Sequence, residues 1–197
     1  MNTALLISNI TLWILLIGLA LTVVALARQI GVLHERIAPA GALMVSGGPK
    51  VGEASPVLDV VDIAGQEYSI GTVREDAKST LLFFLSPNCP VCKTLLPVLK
   101  SSQKSERDWL DILLTSDGDS AEQQALIEEY KLQEFSYILS SNLGMTYQVG
   151  KLPFAVLLDN EGIIRSKGLV NSREHLESLF EAKERGVASI QEYMSSQ

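Results

Sequence analysis

The chain has 197 residues and a formal net charge of −7, and 47% of its residues are hydrophobic. This length fits one ordinary domain with an additional segment. Residues 51–197 carry 13 basic against 22 acidic side chains, a net charge of −9. A domain this acidic is a poor candidate for binding nucleic acid through phosphate neutralisation, and its charge indicates a solvated surface that keeps the domain soluble.

The N-terminal segment is the most apolar part of the chain. Residues 4–27 contain no charged side chain, and a helix of that length spans roughly 36 Å, enough to cross a bilayer. A cleaved signal peptide is the alternative, and Ala25-Leu26-Ala27 resembles its cleavage site. The preceding residues include no Lys or Arg, however, and the apolar run exceeds the roughly 7–15 residues of a signal core. The sequence predicts a retained single-pass transmembrane anchor over residues 1–28.

Residues 29–55 are predicted to form a juxtamembrane segment and linker. A short helix is expected to continue to about Ile37, and the stretch after it is rich in Ala, Gly, Pro and Ser, as linkers are. Arg28 and Arg36 follow the anchor. By the positive-inside rule these two charges favour a cytoplasmic location for the C-terminal domain.

The folded domain is predicted over residues 56–185, followed by a tail at 186–197. Its apolar runs and turn residues predict strands and helices in alternation. The strands are expected at 57–63, 67–70, 80–85, 109–115, 137–139, 154–159 and 163–168, and the helices from residue 90, over 120–132 and over 172–185. Alternating elements that end in an antiparallel hairpin predict an α/β fold, a mixed sheet with flanking helices.

Both cysteines lie in the stretch SPNCPVCKTLLP, at a predicted strand-to-helix junction. Pro90 suits the first position of a helix, which places Cys89 at the N-cap and Cys92 one turn inward. The helix N-terminus favours a thiolate, so we expect the pKa of the Cys89 thiol to lie below the value of about 8.5 for free cysteine. Lys93 adds a nearby positive charge, and Cys92 can reach Cys89 to resolve a mixed disulfide.

Other roles for the two cysteines fit the sequence less well. A zinc site needs three or four protein ligands, and His34 and His175 lack the required spacing. Haem attachment needs a His directly after the second Cys, where Lys93 stands. A disulfide across two residues closes almost no loop and stabilises little, and two unconnected core cysteines are a further alternative. The sequence favours a redox-active pair and predicts neither a metal nor another cofactor.

The helix from Pro90 contains a second proline, Pro97. Because apolar residues at helical spacing continue on both sides of it, we expect a kinked helix rather than a break.

The order of a strand, the motif CPVC and a proline five residues further resembles the active-site helix of the thioredoxin superfamily. Pro153, just before a predicted strand, resembles the cis-proline of that superfamily. The alternative is an ordinary trans proline at a strand start.

The superfamily resemblance implies a role for each site residue. Cys89 is the attacking thiol, Cys92 is the resolving thiol, and Pro153 with Leu152 contacts the backbone of the substrate. Two departures from thioredoxin argue against a strongly reducing role. Phe83 stands six residues before Cys89, where many thioredoxins have a buried acid, and Pro-Val replaces Gly-Pro between the cysteines.

The complete layout is similar to that of the MauD family of methylamine utilization proteins. The similarity lies in the N-terminal anchor, the segment RQIGVLHER and the stretch SPNCPVCKTLLPVLK. It implies a membrane-tethered thiol–disulfide oxidoreductase that forms, reduces or isomerises disulfides in the maturing small subunit of methylamine dehydrogenase. The similarity further implies an inner-membrane protein with its domain in the periplasm. This orientation is opposite to the one that Arg28 and Arg36 favour by the positive-inside rule. An integral-membrane thiol electron carrier is the expected exchange partner.

Two alternative functions come from different classes of protein. A peroxiredoxin-like peroxidase shares the fold and requires a Pro and a Thr or Ser before its cysteine. Ser86 satisfies the second requirement, but Leu82 stands where the Pro belongs. A non-enzymatic assembly chaperone, with a vestigial cysteine pair, is the other alternative.

Overall fold

The computed structural model describes residues 2–36 and 47–185. The chain divides into two units, Met1–Leu43 and Met44–Gln197. The first unit contains helix α1 (Asn2–Arg36), which includes the predicted anchor and continues beyond it as expected. Within α1, Leu5–Val24 is long and apolar enough to cross a membrane. The end of the predicted juxtamembrane helix, the start of the linker and the tail at 186–197 lie outside the described residues.

The described part of the second unit alternates strands and helices, as predicted. In chain order the elements are β1 (Leu58–Val61), β2 (Glu67–Ile70), β3 (Ser79–Phe84), α2 (Pro90–Ser105), β4 (Leu110–Ser116), α3 (Ser120–Tyr130), β5 (Ser136–Leu139), α4 (Ser141–Thr146), β6 (Phe154–Leu158), β7 (Ile164–Leu169) and α5 (Arg173–Arg185). The sequence did not predict α4, because its six residues are too few for a helical pattern and include Gly144.

The main sheet has five strands in the order β5-β4-β3-β6-β7. β3 runs parallel to β4 and antiparallel to β6, so the sheet is mixed, as predicted. β1 and β2 form a separate antiparallel hairpin. All six residues of the central strand β3 are buried, which explains why its sequence is a continuous apolar run rather than an alternating one.

Each face of the sheet has its own core. Buried side chains of α2, α3 and α5 cover one face together with those of β3 and β4, and they include Cys92, Leu96, Leu126 and Leu176. The opposite face packs against α4 and the β1–β2 hairpin. Helices and a small hairpin therefore enclose the sheet on both sides, and the sheet edge where β3 ends carries the connection to α2.

Helix α2 continues through Pro97 to Ser105 without a break. Pro97 is exposed, whereas its neighbour Leu96 and Leu99 are buried. The proline thus lies on the solvent side of the helix, where the lost backbone hydrogen bond does not disturb the core. The predicted kink in the helix axis stays a prediction.

The segment from Gly47 to Ser55 contacts β7. Gly52 N–H donates to Ile164 O at 2.8 Å, and Ile164 N–H donates to Glu53 O at 3.0 Å. The Lys167 ammonium donates to the carbonyls of Gly47 and Pro49 at 2.8 and 2.7 Å. The part of the predicted linker nearest the domain therefore runs along the edge of the sheet as an additional ordered segment.

Replacing the N-cap of α3 tests one local source of stability. Asp119 is the N-cap, and its side chain accepts a hydrogen bond from Ala121 N–H at 2.9 Å. We expect Asp119→Ala to lower the free energy of unfolding by about 1 kcal/mol. Asp119→Asn, which retains an acceptor oxygen, should retain most of that stability. Urea denaturation of both variants checks this, and equal losses for Ala and Asn would contradict a capping role.

Candidate active site

A tight turn after β3 brings Cys89 to the start of α2. Asn88 N–H donates to the Ser86 hydroxyl at 3.3 Å, and Cys89 N–H donates to Ser86 O at 3.1 Å. Cys89 has extended backbone angles (φ −96°, ψ 107°) and is the N-cap, with Pro90 at the first helical position. Cys92 N–H donates to the Cys89 sulfur at 3.1 Å. The predicted N-cap position of Cys89 is therefore confirmed, and its sulfur already accepts one otherwise unpaired helical N–H.

The two cysteines form a disulfide, with their Cα atoms 5.2 Å apart. Their environments differ, because Cys89 is half-buried at the surface whereas Cys92 is only 1% exposed. A disulfide of a client can approach Cys89 but not Cys92. The lowered pKa expected for the Cys89 thiol belongs to the reduced protein and stays a prediction.

The antiparallel pairing of β6 with β3 places a proline at the same sheet edge. Phe154, the first residue of β6, pairs with Phe84, the last residue of β3. The peptide bond between Leu152 and Pro153 is cis, as predicted. Pro153 is buried, and Leu152 is 37% exposed. The turn that carries the disulfide and the segment with the cis-proline therefore lie at the same sheet edge, where β3 ends and β6 begins.

The environment of Cys92 is apolar. Phe83 is fully buried in the same core cluster as Cys92, which also contains Leu95, Leu96 and Leu99. The position that the thioredoxin resemblance associates with a buried acid thus holds an aromatic ring. A proton acceptor for Cys92 must come from solvent or from residues outside this cluster.

Asn88 and Glu122 form a contact that the sequence analysis missed. Asn88 Nδ2 donates to Glu122 Oε2 at 3.3 Å, which joins the turn before Cys89 to the first turn of α3. β3 and β4 are parallel, so the helices that follow them begin at the same sheet edge. Parallel pairing of the two predicted strands would have indicated that the turn before Cys89 lies close to the start of α3. The contact holds the Glu122 carboxylate next to Asn88, the residue before Cys89.

Pro90 and Lys93, the two residues predicted to support the pair, both lie in the first turn of α2, and their supporting roles stay predictions. Pro90 is the first residue of α2. Lys93 is half-buried, and its N–H donates to Cys89 O at 3.3 Å. Among the described residues none forms an ion pair with the Lys93 ammonium. Within 2–36 and 47–185 no cluster of three or more His, Cys, Asp or Glu could hold a metal ion.

A cavity of about 330 Å³ opens beside the cis-proline segment. Residues at the ends of β3, β4 and β5 form one side of it, and the segment from α4 to Leu152 forms the other. Its lining consists of Phe84, Leu85, Thr115, Ser116, Asp117, Ser140, Gly144, Val149, Gly150, Lys151 and Leu152. We call this space the Leu152 cavity, and neither cysteine nor Pro153 is among its lining residues. No sequence pattern indicated this cavity, because its walls come from segments far apart in the chain.

Curated relatives match the chain over nearly its full length. It is 43% identical to the methylamine utilization protein MauD of Paracoccus denitrificans, with 100% of this chain and 97% of the relative covered. It is 46% identical to MauD of Methylorubrum extorquens, with 96% and 91% covered. The chain belongs to the MauD family. No protein-family model matches it.

Solved structures similar to the domain have the thioredoxin fold. The thioredoxin domain of a thiol-disulfide oxidoreductase from Bacteroides vulgatus superposes with a TM-score of 0.57 at 20% identity, covering 68% of this chain and 98% of that one. DsbF of Mycobacterium tuberculosis superposes with a TM-score of 0.53 at 17% identity, covering 70% and 97%. The predicted thioredoxin-like fold is therefore confirmed for this MauD-family chain.

Proposed function

We propose that this MauD-family protein is a membrane-tethered thiol–disulfide oxidoreductase that acts on a disulfide-containing client. The observation that carries the proposal is the Cys89–Cys92 disulfide at the start of α2, with one sulfur at the surface and the other buried. A structural disulfide of this length would stabilise the fold little. The same two sulfurs can instead store and transfer an electron pair.

In the reduced protein, the Cys89 thiolate attacks one sulfur of the client disulfide. A mixed disulfide forms between Cys89 and the client, and the other client sulfur leaves as a thiolate. The Cys92 thiolate then attacks the Cys89 sulfur, which expels the client as a second thiolate and restores the Cys89–Cys92 disulfide. The client gains two electrons and the protein loses two. Oxidation of a client dithiol follows the same steps in reverse, and the relative potentials set the direction.

The site residues divide this work between them. Cys89 attacks because it is the accessible sulfur at the helix N-terminus, and Cys92 resolves because it lies one turn inward. Pro153 and Leu152 lie at the sheet edge where β3 ends, and the proposal assigns them the contact with the client backbone. Pro90 fixes the start of α2 without leaving an unpaired N–H, and Lys93 adds positive charge that favours a thiolate.

The client in this proposal is the small subunit of methylamine dehydrogenase during its maturation. The names of the relatives support a role in methylamine utilization. The apolar helix supports membrane attachment, and we place it in the inner membrane with the domain in the periplasm, where disulfides form and persist. Arg28 and Arg36 argue for the opposite orientation, but two charges are few for that rule. An integral-membrane thiol carrier would then return the protein to its starting redox state.

The proposal assigns a part of this function to each segment of the chain. Residues 1–28 anchor the protein, and residues 29–55 connect the anchor to the thioredoxin-like domain at 56–185. Residues 186–197 form a tail. The separation of the chain into two units near residue 43 supports an anchor distinct from the domain, and the contacts of Gly47–Ser55 with β7 add these residues to the domain.

A trapping experiment tests the function. Cys92→Ala removes the resolving sulfur, so the mixed disulfide on Cys89 should persist instead of turning over. We expect full-length Cys92→Ala, expressed in methylamine-grown cells, to retain the client covalently. The adduct should be visible by non-reducing electrophoresis and identifiable by mass spectrometry.

The matched control for trapping is the double variant Cys89→Ser/Cys92→Ala, which should retain nothing. An adduct that is the methylamine dehydrogenase small subunit supports the complete proposal. An adduct with a different disulfide protein would show that the proposed client is wrong and that the proposed chemistry is right. If Cys92→Ala retains no more protein than the double variant, the oxidoreductase function is wrong.

A further inference from the structure

The turn that precedes Cys89 is joined to the start of α3 by one side-chain contact. Asn88 Nδ2 donates to Glu122 Oε2 at 3.3 Å, and Asn88 is the residue directly before Cys89. Glu122 lies in the first turn of α3, where the helix dipole favours a negative charge. The contact therefore holds one carboxylate beside the neighbour of the proposed attacking sulfur.

Other charged or titratable side chains lie at the same sheet edge. β3, β4 and β7 end there and β6 begins there, because β3 is parallel to β4 and β6 is antiparallel to both β3 and β7. The segments next to these strand ends contribute Lys93, Asp117, Asp119, Lys151, Arg173, Glu174 and His175. Within the described part of the chain, none of these side chains hydrogen-bonds to a residue adjacent to Cys89. Glu122 is thus the charged group that is tied to the turn carrying this cysteine.

Three features at the start of α2 favour the thiolate of Cys89. Its sulfur caps the helix N-terminus, it accepts Cys92 N–H at 3.1 Å, and Lys93 lies in the same turn. A nearby carboxylate has the opposite effect, because like charges repel. Glu122 therefore opposes the stabilisation that the start of α2 provides.

The redox state of the cysteine pair decides whether this repulsion acts. In the disulfide neither sulfur carries a charge, so the Glu122 carboxylate has nothing to repel. In the reduced protein the Cys89 thiolate and the carboxylate repel each other, which makes the reduced state less stable. A thiol pair whose reduced form is stabilised is a strong oxidant. A pair whose reduced form is destabilised gives up its electrons more readily.

We propose that the Glu122 carboxylate, held against the active-site turn by Asn88, destabilises the Cys89 thiolate and so makes the Cys89–Cys92 pair a stronger reductant. Glu122 acts through Cys89 and takes no part in the exchange reaction itself. This inference rests on the proposed oxidoreductase function and adds to it a residue that biases the direction of electron flow.

The redox equilibrium with glutathione tests this effect on the full-length protein in detergent micelles. The protein dithiol passes two electrons to glutathione disulfide, which leaves the Cys89–Cys92 disulfide and two glutathione thiols. Glu122→Gln removes the charge and retains an oxygen that can accept from Asn88. At a pH where Cys89 is ionised, we expect the equilibrium constant of this reaction to fall about two- to threefold, the effect of one solvent-exposed charge at short range. That change raises the reduction potential by about 9–14 mV.

The ionisation of Cys89 gives a second readout, which a purely structural role of Glu122 would not change. Alkylation of the reduced protein by iodoacetamide reports the Cys89 thiolate, since Cys92 is buried. We expect the pH midpoint of alkylation to be lower in Glu122→Gln than in the wild-type protein. The difference between the two proteins should shrink in about 1 M salt, because salt screens exposed charges.

Three further variants locate the effect. Glu129→Gln removes an exposed carboxylate two turns further along α3, so it should leave the potential and the midpoint at their wild-type values. Glu122→Ala should match Glu122→Gln, because both remove the charge. Asn88→Ala releases the carboxylate and should produce part of the same shift, and it should add nothing in the Glu122→Gln background.

The outcomes distinguish the effect of Glu122 from the function on which it rests. If the reduced wild-type protein transfers no electrons to glutathione disulfide, the oxidoreductase function and this inference both fail. If exchange occurs but Glu122→Gln leaves the potential or the midpoint unchanged, the function stands and the inference is wrong. The inference is also wrong if only Glu122→Ala produces the shift, or if Glu129→Gln produces an equal one.

Discussion

Replacing Cys89 with serine is expected to abolish thiol–disulfide exchange, with a loss of about a thousandfold or more in rate. Cys89 is the accessible sulfur of the pair, and Cys92 is 1% exposed and cannot replace it at the surface. A hydroxyl remains protonated at neutral pH and does not attack a disulfide. The measurement is the rate at which the reduced full-length protein reduces a peptide disulfide.

The control for this prediction is Cys92→Ala, which should still carry out the first attack and then stop at the mixed disulfide.

The effect of Cys89→Ser on growth distinguishes an oxidoreductase from an assembly chaperone. If Cys89→Ser also abolishes methylamine-dependent growth, the redox chemistry is required. If growth is unaffected while exchange is lost, the protein acts instead as an assembly chaperone. Peroxide consumption that exceeds disulfide exchange in the wild-type protein would favour a peroxidase.

Replacing Phe83 with alanine should have the largest effect on stability. Phe83, the penultimate residue of β3, is fully buried and belongs to the core cluster that contains Cys92. Truncating a buried phenylalanine removes its apolar contacts and leaves a cavity, so we expect the free energy of unfolding to fall by about 3–5 kcal/mol. Urea denaturation followed by the fluorescence of Trp109, whose ring packs 5.5 Å from that of Phe180, measures the change.

Val73 provides the matched control for Phe83, since its side chain is 73% exposed. Val73→Ala should change the stability by less than about 0.5 kcal/mol. A loss below about 1 kcal/mol for Phe83→Ala would show that the core beneath the disulfide tolerates a cavity, contrary to the packing described above.

The sequence predicted the features that depend on local patterns. The run TLLFFL indicated a strand buried on both faces, and the order Cys89-Pro90 indicated an N-cap followed by the first helical residue. Asn160 and Gly162 indicated the turn between β6 and β7. Each of these signals lies within a few residues of the structure that it specifies, so a single sequence carries it in full.

The features that the sequence did not predict arise from contacts between distant segments. The contact between Asn88 and Glu122 forms because two parallel strands end together. The Leu152 cavity combines the ends of three strands with the segment from α4 to Leu152. Thr115 is an ordinary polar residue in the sequence, and only the assembled sheet buries its hydroxyl with no hydrogen-bond partner among the described residues.

The burial of Cys92 also determines how the reduced protein withstands peroxide. Oxidants act first on the exposed, thiolate-prone sulfur, so sulfenic acid forms at Cys89. The sheltered neighbour then condenses with it, releasing water and regenerating the disulfide before irreversible sulfinic acid accumulates. The buried Cys92 thiol thus protects Cys89 from irreversible oxidation. The product is the Cys89–Cys92 disulfide, from which the redox cycle can resume.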